Sequence, residues 1–383
     1  MRACLVSVAL LVPAPSVDAA EPGTVRFAQF NIWELSRNKL DEVDERGRGS
    51  NRQLLKAAEI LQRMRPDVLL VNEIDHDGEG RNVELFQERY LARAREGQAP
   101  LRYPHVFFAP VNTGEPSGLD LDNDGSTDGP GDAWGFGRYP GQYGMALLSR
   151  FPIAGTPRTL RTLRWRDMPG NLIPDGRGGR PAWYDEEEAA ALRLSSKSHW
   201  DVPLDVGGTV VHVLAAHPTP SVFDGPEDYN GRRTFDEIRL LADYIAGGPR
   251  GAYISDDAGR PGPLAPDAPF VVMGDLNADP VLDEGPYGEP AVMQLLELER
   301  VQDPAPASPG GAKQAVSTGS PGYGERWTTR YGRLDYVLPS LGLEVRGSGV
   351  FWPEPGDPLA RLVDDPDAAS DHHLVWLDIA LPE

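Results

Sequence analysis

A β-sandwich core flanked by helices is the fold class this sequence predicts, and three observations carry it. Short apolar runs recur at Val68–Val71, Val210–Ala216, Phe270–Met273 and Leu374–Ile379, the length of buried strands rather than of helices. Two stretches, after Asn51 and from Asn230, carry apolar residues at helical spacing. The last strands come late, close to the C-terminus. Strands alternating with a few helices and closed by late strands fit packed sheets covered by helices.

Each element follows from its local pattern. Thr24–Asn31 alternates and is aromatic-rich, so it reads as a strand. Ser50-Asn51-Arg52-Gln53 has the form of a capping box; Leu54, Leu55, Ala58 and Leu61 then share a helical face until Pro66 stops the helix. Asp67–Asn72 is a continuous apolar strand, expected to be covered on both faces. The pattern predicts a second helix over Asn82–Arg95 and strands over Tyr103–Phe108 and Gly144–Leu148. Strand Val210–Ala216 is followed by helix Asn230–Ile245, with Phe235, Ile238, Leu241 and Ile245 on one side. Phe270–Met273, Asp335–Leu338 and Leu374–Ile379 complete the strands. Residues 110–142, 155–200, 247–269 and 302–324 are rich in Gly, Pro, Asp or Arg and read as loop insertions.

Composition bounds the function. The chain has 383 residues, 40% hydrophobic and 25% charged, enough for a large core. Its candidate site residues span most of that length, so a single domain over 21–383 is expected. Arg2, the apolar stretch Cys4–Val12 and the small residues around Val17-Asp18-Ala19 read as an export signal over 1–20, which predicts a secreted or periplasmic protein. Cleavage there removes the only cysteine, so no disulfide and no thiolate ligand are expected. No other segment is apolar enough to insert in a membrane, and a monomer is expected. A net charge of −21 argues against tight, sequence-independent grip on a polyanion. It leaves phosphate-ester hydrolysis open, because a divalent cation can supply positive charge locally.

Four apolar strands deliver a polar residue at or beside one end, the way a rigid sheet builds a metal and phosphate site. After Phe270–Met273 come Asp275 and Asn277: a carboxylate that can orient or deprotonate water and a carboxamide that can bond a phosphoryl oxygen. An Asx turn ending a strand is the plain alternative. Glu73 follows Val68–Asn72 and offers the oxygen that Mg²⁺ prefers, or is a solvated loop acid. His217 precedes the stiff Pro218-Thr219-Pro220, where it can donate to phosphate or a leaving group, or be structural. Asp371-His372 precedes the last strand, and Asp335 opens another. An Asp holding a histidine in one tautomer is the orienting logic expected for Asp335 and His372. His373 is expected to face away from it.

Two further segments stand out. Asp120, Asp122 and Asp124 alternate before Gly125, with Asp128 beyond, as in a calcium loop. The Glu that an EF-hand would require is replaced by Gly131, so the choice is between structural Ca²⁺ and a bare acidic loop. Ser195–His199, with Lys197 and His199, and Arg232-Arg233 are among few basic spots. Lys197, His199 and Arg232 are therefore candidate contacts for substrate phosphate, against an ordinary surface strand.

Taken in order, "FAQFNIWE", "VLLVNEID", "YGMALLSRFPI", "LAAHPTP", "GDLNADP", "RLDYVLPS" and "SDHHLVWLDI" resemble the endonuclease/exonuclease/phosphatase superfamily, from about residue 24 to 381. That superfamily includes deoxyribonucleases, sphingomyelinases and inositol 5-phosphatases. The resemblance implies a four-layered α/β/β/α sandwich of two mostly antiparallel sheets, and Mg²⁺- or Mn²⁺-dependent hydrolysis of a phosphodiester or phosphomonoester. It implies Glu73 as principal metal ligand with Asn31 near the same ion, and Asp371 at a second metal position. Asp275 would align water; Asn277, His217 and His372 would contact the scissile phosphate; Asp335 would orient His372. Nuclease relatives often carry an acid soon after the early Asn, whereas here Ile32 and Trp33 precede Glu34. "GLDLDNDG", "LRLSSKSHWDVP" and "FDGPEDYNGRR" resemble a set of exported bacterial proteins. A small-molecule ester hydrolase, a secreted nuclease acting on DNA or RNA, and a non-catalytic binding protein on the same scaffold remain the readings to separate.

Overall fold

Alternation along the first strand decides where the layers form. The computed structural model describes residues 23–319, 322–364 and 368–380; the expected export signal lies outside them. Strand β1 (Thr24–Leu35) sends Val25 and Phe27 into one apolar cluster, and Ala28, Phe30 and Ile32 into another. A strand buried on both faces belongs in the middle of a layered fold.

In chain order the elements after β1 are α1 (Arg37–Asp41), α2 (Arg52–Met64), β2 (Val68–Ile74), α3 (Arg81–Phe86), β3 (His105–Phe107), β4 (Met145–Ser149) and β5 (Arg158–Thr159). The second half holds α4 (Glu186–Ala191), β6 (His199–Val206), β7 (Thr209–Ala216), α5 (Tyr229–Ala246), β8 (Phe270–Asp275) and α6 (Met293–Leu296). It closes with α7 (Pro309–Ser317), β9 (Asp335–Pro339), β10 (Val345–Val350) and β11 (Val375–Ala380). One sheet runs β10-β11-β1-β2-β4-β3 and the other β5-β6-β7-β8-β9. In each, a single parallel pair, β1–β2 or β7–β8, interrupts antiparallel neighbours. Each parallel pair is joined by a crossover that contains a helix, α2 or α5.

Three apolar layers hold the sandwich. Leu54, Leu61 and Phe86 pack under Phe30, Leu69 and Val71 on the outer face of the first sheet. Phe27, Leu70, Leu147, Trp200, Val213 and Val271 fill the space between the sheets. Ile238, Leu241 and Ile245 of α5 cover Leu214, Val272 and Leu338 of the second sheet. This is the expected α/β/β/α arrangement, with mixed sheets. Among the described residues no helix is long and apolar enough to cross a membrane.

Several boundaries depart from expectation. The helix cap is Asn51, whose side chain accepts from the Leu54 amide at 3.1 Å, one residue later than a box on Ser50. The second helix ends early: α3 widens into a π-turn over Gln87–Leu91 and stops there. The segments expected to be loop at 155–200 and 302–324 contain α4, the start of β6, and α7.

Candidate active site

Local backbone distortion aims the polar residues. β1 and β2 lose register between Asn31 and Leu35, a bulge that lifts Ile32–Glu34 out of the ladder. Glu34, Glu73, Tyr143 and Asn277 all have positive φ, between 46° and 69°. A non-glycine residue in that region costs on the order of 1–3 kcal/mol, and such strain concentrates at functional sites. The Glu34 amide donates to Glu73 Oε2 at 2.8 Å, and the Tyr143 hydroxyl donates to Glu34 Oε1 at 3.2 Å, so the distorted residues brace one another.

Asp275 Oδ2 is the meeting point. Asn31 Nδ2 donates to it at 3.0 Å, and the same amide group donates to Glu73 Oε1 at 3.0 Å. His217 Nε2 lies 3.4 Å from Oδ2 and His372 Nε2 lies 3.7 Å from it. Residues from β1, the turn after β7 and the turn before β11 therefore converge on one carboxylate oxygen at the end of β8. His372 Nδ1 is held by Asp335 Oδ2 at 2.8 Å. The other Asp275 oxygen accepts from the Asn277 amide at 3.0 Å, and Asn277 Nδ2 donates to the Pro218 carbonyl at 3.0 Å.

The electrostatics separate the two histidines. Burial would lower His372, but the carboxylates of Asp335 and Asp275 outweigh it and raise its pKa well above the usual value. His217 is pushed well below by burial and by the cations Lys197 and His372. Burial pushes Asp275 up to about 7, against the pull of His372. A cationic donor, a neutral imidazole and a carboxylate of raised pKa thus share one pocket, the pattern that sets acid and base roles apart.

The oxygen-rich side of this pocket fits a hard divalent cation. Asn31 Oδ1 is buried without a hydrogen-bond partner, while its amide group orients it beside the Glu73 carboxylate. Asp371 and Glu34 add charge nearby, as both act on the Lys39 ammonium together with Glu73. Asp275, Asp335 and His372 also bring ligand atoms within 4.8 Å of one another, but the Asp335–His372 hydrogen bond occupies that set internally.

Lys197 borders this pocket through the Pro218 carbonyl that Asn277 also uses, whereas the remaining candidates lie elsewhere. Lys197 and His199 do not form an exposed basic spot; both are buried. Lys197 Nζ donates to the Pro218 carbonyl at 3.1 Å, and burial lowers its pKa. His199 has Ser195 Oγ at 2.7 Å from Nδ1 and the Glu237 carbonyl at 3.0 Å from Nε2, which leaves no nitrogen for a ligand. Arg232 Nε donates to the Glu227 carbonyl at 3.1 Å. Oxygens of Asp120, Asp122 and Asp124 gather within 4.8 Å, whereas Asp128 takes the Ser126 hydroxyl. His373 turns away from His372 and stacks on Trp352 at 3.7 Å.

Some supporting residues had weaker signals. Gln29 Nε2 donates to Asn72 Oδ1 at 2.8 Å, and that oxygen also accepts from the Asp275 amide at 3.3 Å, tying three strands together. A Gln inside an apolar strand was the clue. Glu237, on the buried side of α5, accepts from the Ser196 amide at 2.7 Å and the Thr219 amide at 2.8 Å.

Nothing among curated proteins matches. An endonuclease/exonuclease/phosphatase from Beutenbergia cavernae is 20% identical, with 94% of this chain and 72% of that one covered and a TM-score of 0.52. The human Nocturnin catalytic domain with bound sulfate is 15% identical over 94% of each chain, TM-score 0.46. A family protein from Leptotrichia buccalis is 12% identical over 93% and 99%, TM-score 0.48. Residues 28–372 match the Endonuclease/Exonuclease/phosphatase family, and the chain belongs to that family.

Proposed function

We propose that this chain is an exported, divalent-metal-dependent hydrolase of phosphate esters, attacking phosphorus in line with a water. The observation that carries this is the convergence of Asn31, His217 and His372 on Asp275 Oδ2. Family members generally hydrolyse phosphate esters, and this pocket has the groups such chemistry needs. Asn31 and Glu73 would hold the ion, with Asp371 at its edge; when bound, it supplies positive charge against the phosphoryl oxygens. Asp275 orients and takes the proton of the attacking water, a task that suits a carboxyl raised to about 7. His372, held as a cation by Asp335, donates to a phosphoryl oxygen where negative charge gathers. His217, buried and neutral, is placed to hydrogen-bond another.

The test is turnover of a chromogenic diester and monoester, duplex DNA and RNA, with EDTA and with Mg²⁺ or Mn²⁺ restored. Hydrolysis of at least one substrate, abolished by EDTA and recovered with metal, is expected. No metal-dependent turnover of any would leave the scaffold as a binding protein. The charge of −21 favours the small esters over the nucleic acids in that panel.

A further inference from the structure

The acidic side of the pocket carries more negative charge than one divalent ion matches. Glu73 accepts from Asn31 Nδ2 and from the Glu34 amide. Glu34 Oε1 accepts from the Tyr143 hydroxyl at 3.2 Å. Asp75 Oδ2 accepts from the Arg37 amide at 3.2 Å and the Tyr139 hydroxyl at 2.9 Å. Asp371 Oδ1 accepts from Ser370 Oγ at 3.3 Å. These donors are amides and hydroxyls, all neutral. They satisfy oxygens without cancelling charge, so the four carboxylates still need a positive partner. Asn31 Oδ1, buried and unpartnered beside Glu73, marks one end of the cluster as a place for an ion.

At the other end a lysine of the protein is fixed in place. Lys39 lies on α1, where Ser36 Oγ accepts from its amide at 3.4 Å and the Tyr90 hydroxyl donates to its carbonyl at 3.2 Å. Its Nζ donates to the Trp33 carbonyl at 2.8 Å and lies 5.0 Å from the centroid of the Trp33 ring. Gln53 Nε2 donates to the same carbonyl at 2.8 Å, and the Trp33 amide donates to Ser370 Oγ at 3.1 Å. The residue under the ammonium is thus held from both sides, and it joins the bulge carrying Glu34 to the turn carrying Asp371. Burial lowers the Lys39 pKa, while the charges of Glu34, Glu73, Asp75 and Asp371 all act the other way. An ammonium bonded to a carbonyl, rather than to any one carboxylate, spreads its charge over the four.

We propose that the Lys39 ammonium neutralises this side of the pocket in place of a second divalent cation, so that the site takes one ion and not two. The inference rests on the metal-dependent reading of the site. A fixed positive charge repels any further cation brought among the same carboxylates, and the repulsion is strong where water is partly excluded. Lysine suits this task, being a compact point charge on a flexible stem that no chelator removes. Without it, Glu34, Asp75 and Asp371 would present the hard oxygens that a second Mg²⁺ or Mn²⁺ prefers. Lys39 is therefore a positioning residue: it sets how many ions the pocket accepts, and through them where positive charge meets the substrate.

The test counts Mn²⁺ bound per chain, by titrating the full chain and following free Mn²⁺ through its electron paramagnetic resonance signal. A cooperative urea transition confirms that each counted variant is folded. Lys39→Gln keeps a donor for the Trp33 carbonyl but loses the charge; it is expected to bind one Mn²⁺ more than wild type. That extra ion should bind about tenfold or more tighter than any further Mn²⁺ on wild type, the scale of one nearby positive charge removed. Lys39→Arg, which keeps the charge, should match wild type. Lys39→Gln/Glu34→Gln should return to the wild-type count. The Asp120–Asp124 loop is common to all these chains, so any ion it takes cancels in the comparison. Equal counts in Lys39→Gln and wild type, an extra ion in Lys39→Arg, or an extra ion that persists in the double variant would overturn the proposal. Glu73→Gln should bind one Mn²⁺ fewer than wild type; an unchanged count there would instead overturn the metal reading on which the proposal rests.

Discussion

Asp335 and His372 show how one contact sets a residue's chemistry. His372 is buried, and burial disfavours the imidazolium; Asp335 at 2.8 Å and Asp275 at 3.7 Å reverse that preference. Asp335→Asn removes the larger of the two favourable charges while keeping the shape. A fall in kcat of about 10²-fold or more is expected, the scale of losing an oriented charged donor. The same change lowers the pKa of His372, so the alkaline limb of the kcat profile should move to lower pH. A profile that keeps its alkaline limb in Asp335→Asn would show that the cation on His372 is not what the reaction uses. His372→Ala should lose the same order of kcat and retain no residual shift.

At the scale of elements, α5 supports the site through Glu237. This residue is fully enclosed, and its carboxylate accepts from Ser196 N, Ser196 Oγ and Thr219 N. It therefore pins both the approach to β6 and the turn after His217 against one helix. Glu237→Ala strands those donors in the interior and should cost about 3 kcal/mol in urea unfolding, with Glu237→Gln costing less because one acceptor survives. Equal midpoints for Glu237→Ala and wild type would show that the turn is held by other contacts.

The elements also show what was legible beforehand. Strand β1 was readable from its alternation and aromatic residues, and β2, β7, β8, β9 and β11 from short apolar runs, with the site residues at or beside the ends of those runs. β6 was not, because Pro203 interrupts it. Its carbonyl faces Ala154 rather than β7, so the missing N–H falls outside the β6–β7 ladder and the strand survives. α7 was hidden by Gly310 and Gly311, which read as loop. A Cβ on Gly310 would meet Trp352 at 2.2 Å, so glycine is required there by close packing rather than by a turn. The enclosure of Lys197 and His199 was equally unreadable, since it depends on Pro218 and Glu237, far away along the chain.

Over the whole molecule, titration of buried groups sets the pH range of the fold. Burial holds His199 down to about 4, against the favourable Glu237 carbonyl. A depressed histidine is neutral in the native state, so between about pH 6.5 and 4 the unfolded chain binds the extra proton. Stability from this group is therefore complete above pH 6.5 and is lost as the pH falls. Asp236 acts with the opposite sign: burial raises it to about 6, so the native state binds the extra proton below that pH and its contribution falls as pH rises. The two slopes partly cancel in wild type, and a single pH scan would hide both. The difference between wild type and His199→Gln isolates the histidine, because Asp236 is common to the two. From pH 7 to pH 5 wild type should lose about 2 kcal/mol more than His199→Gln in urea unfolding free energy. A difference that does not change between those pH values would mean that His199 is protonated in the native state, and so not enclosed as Ser195 and the Glu237 carbonyl imply.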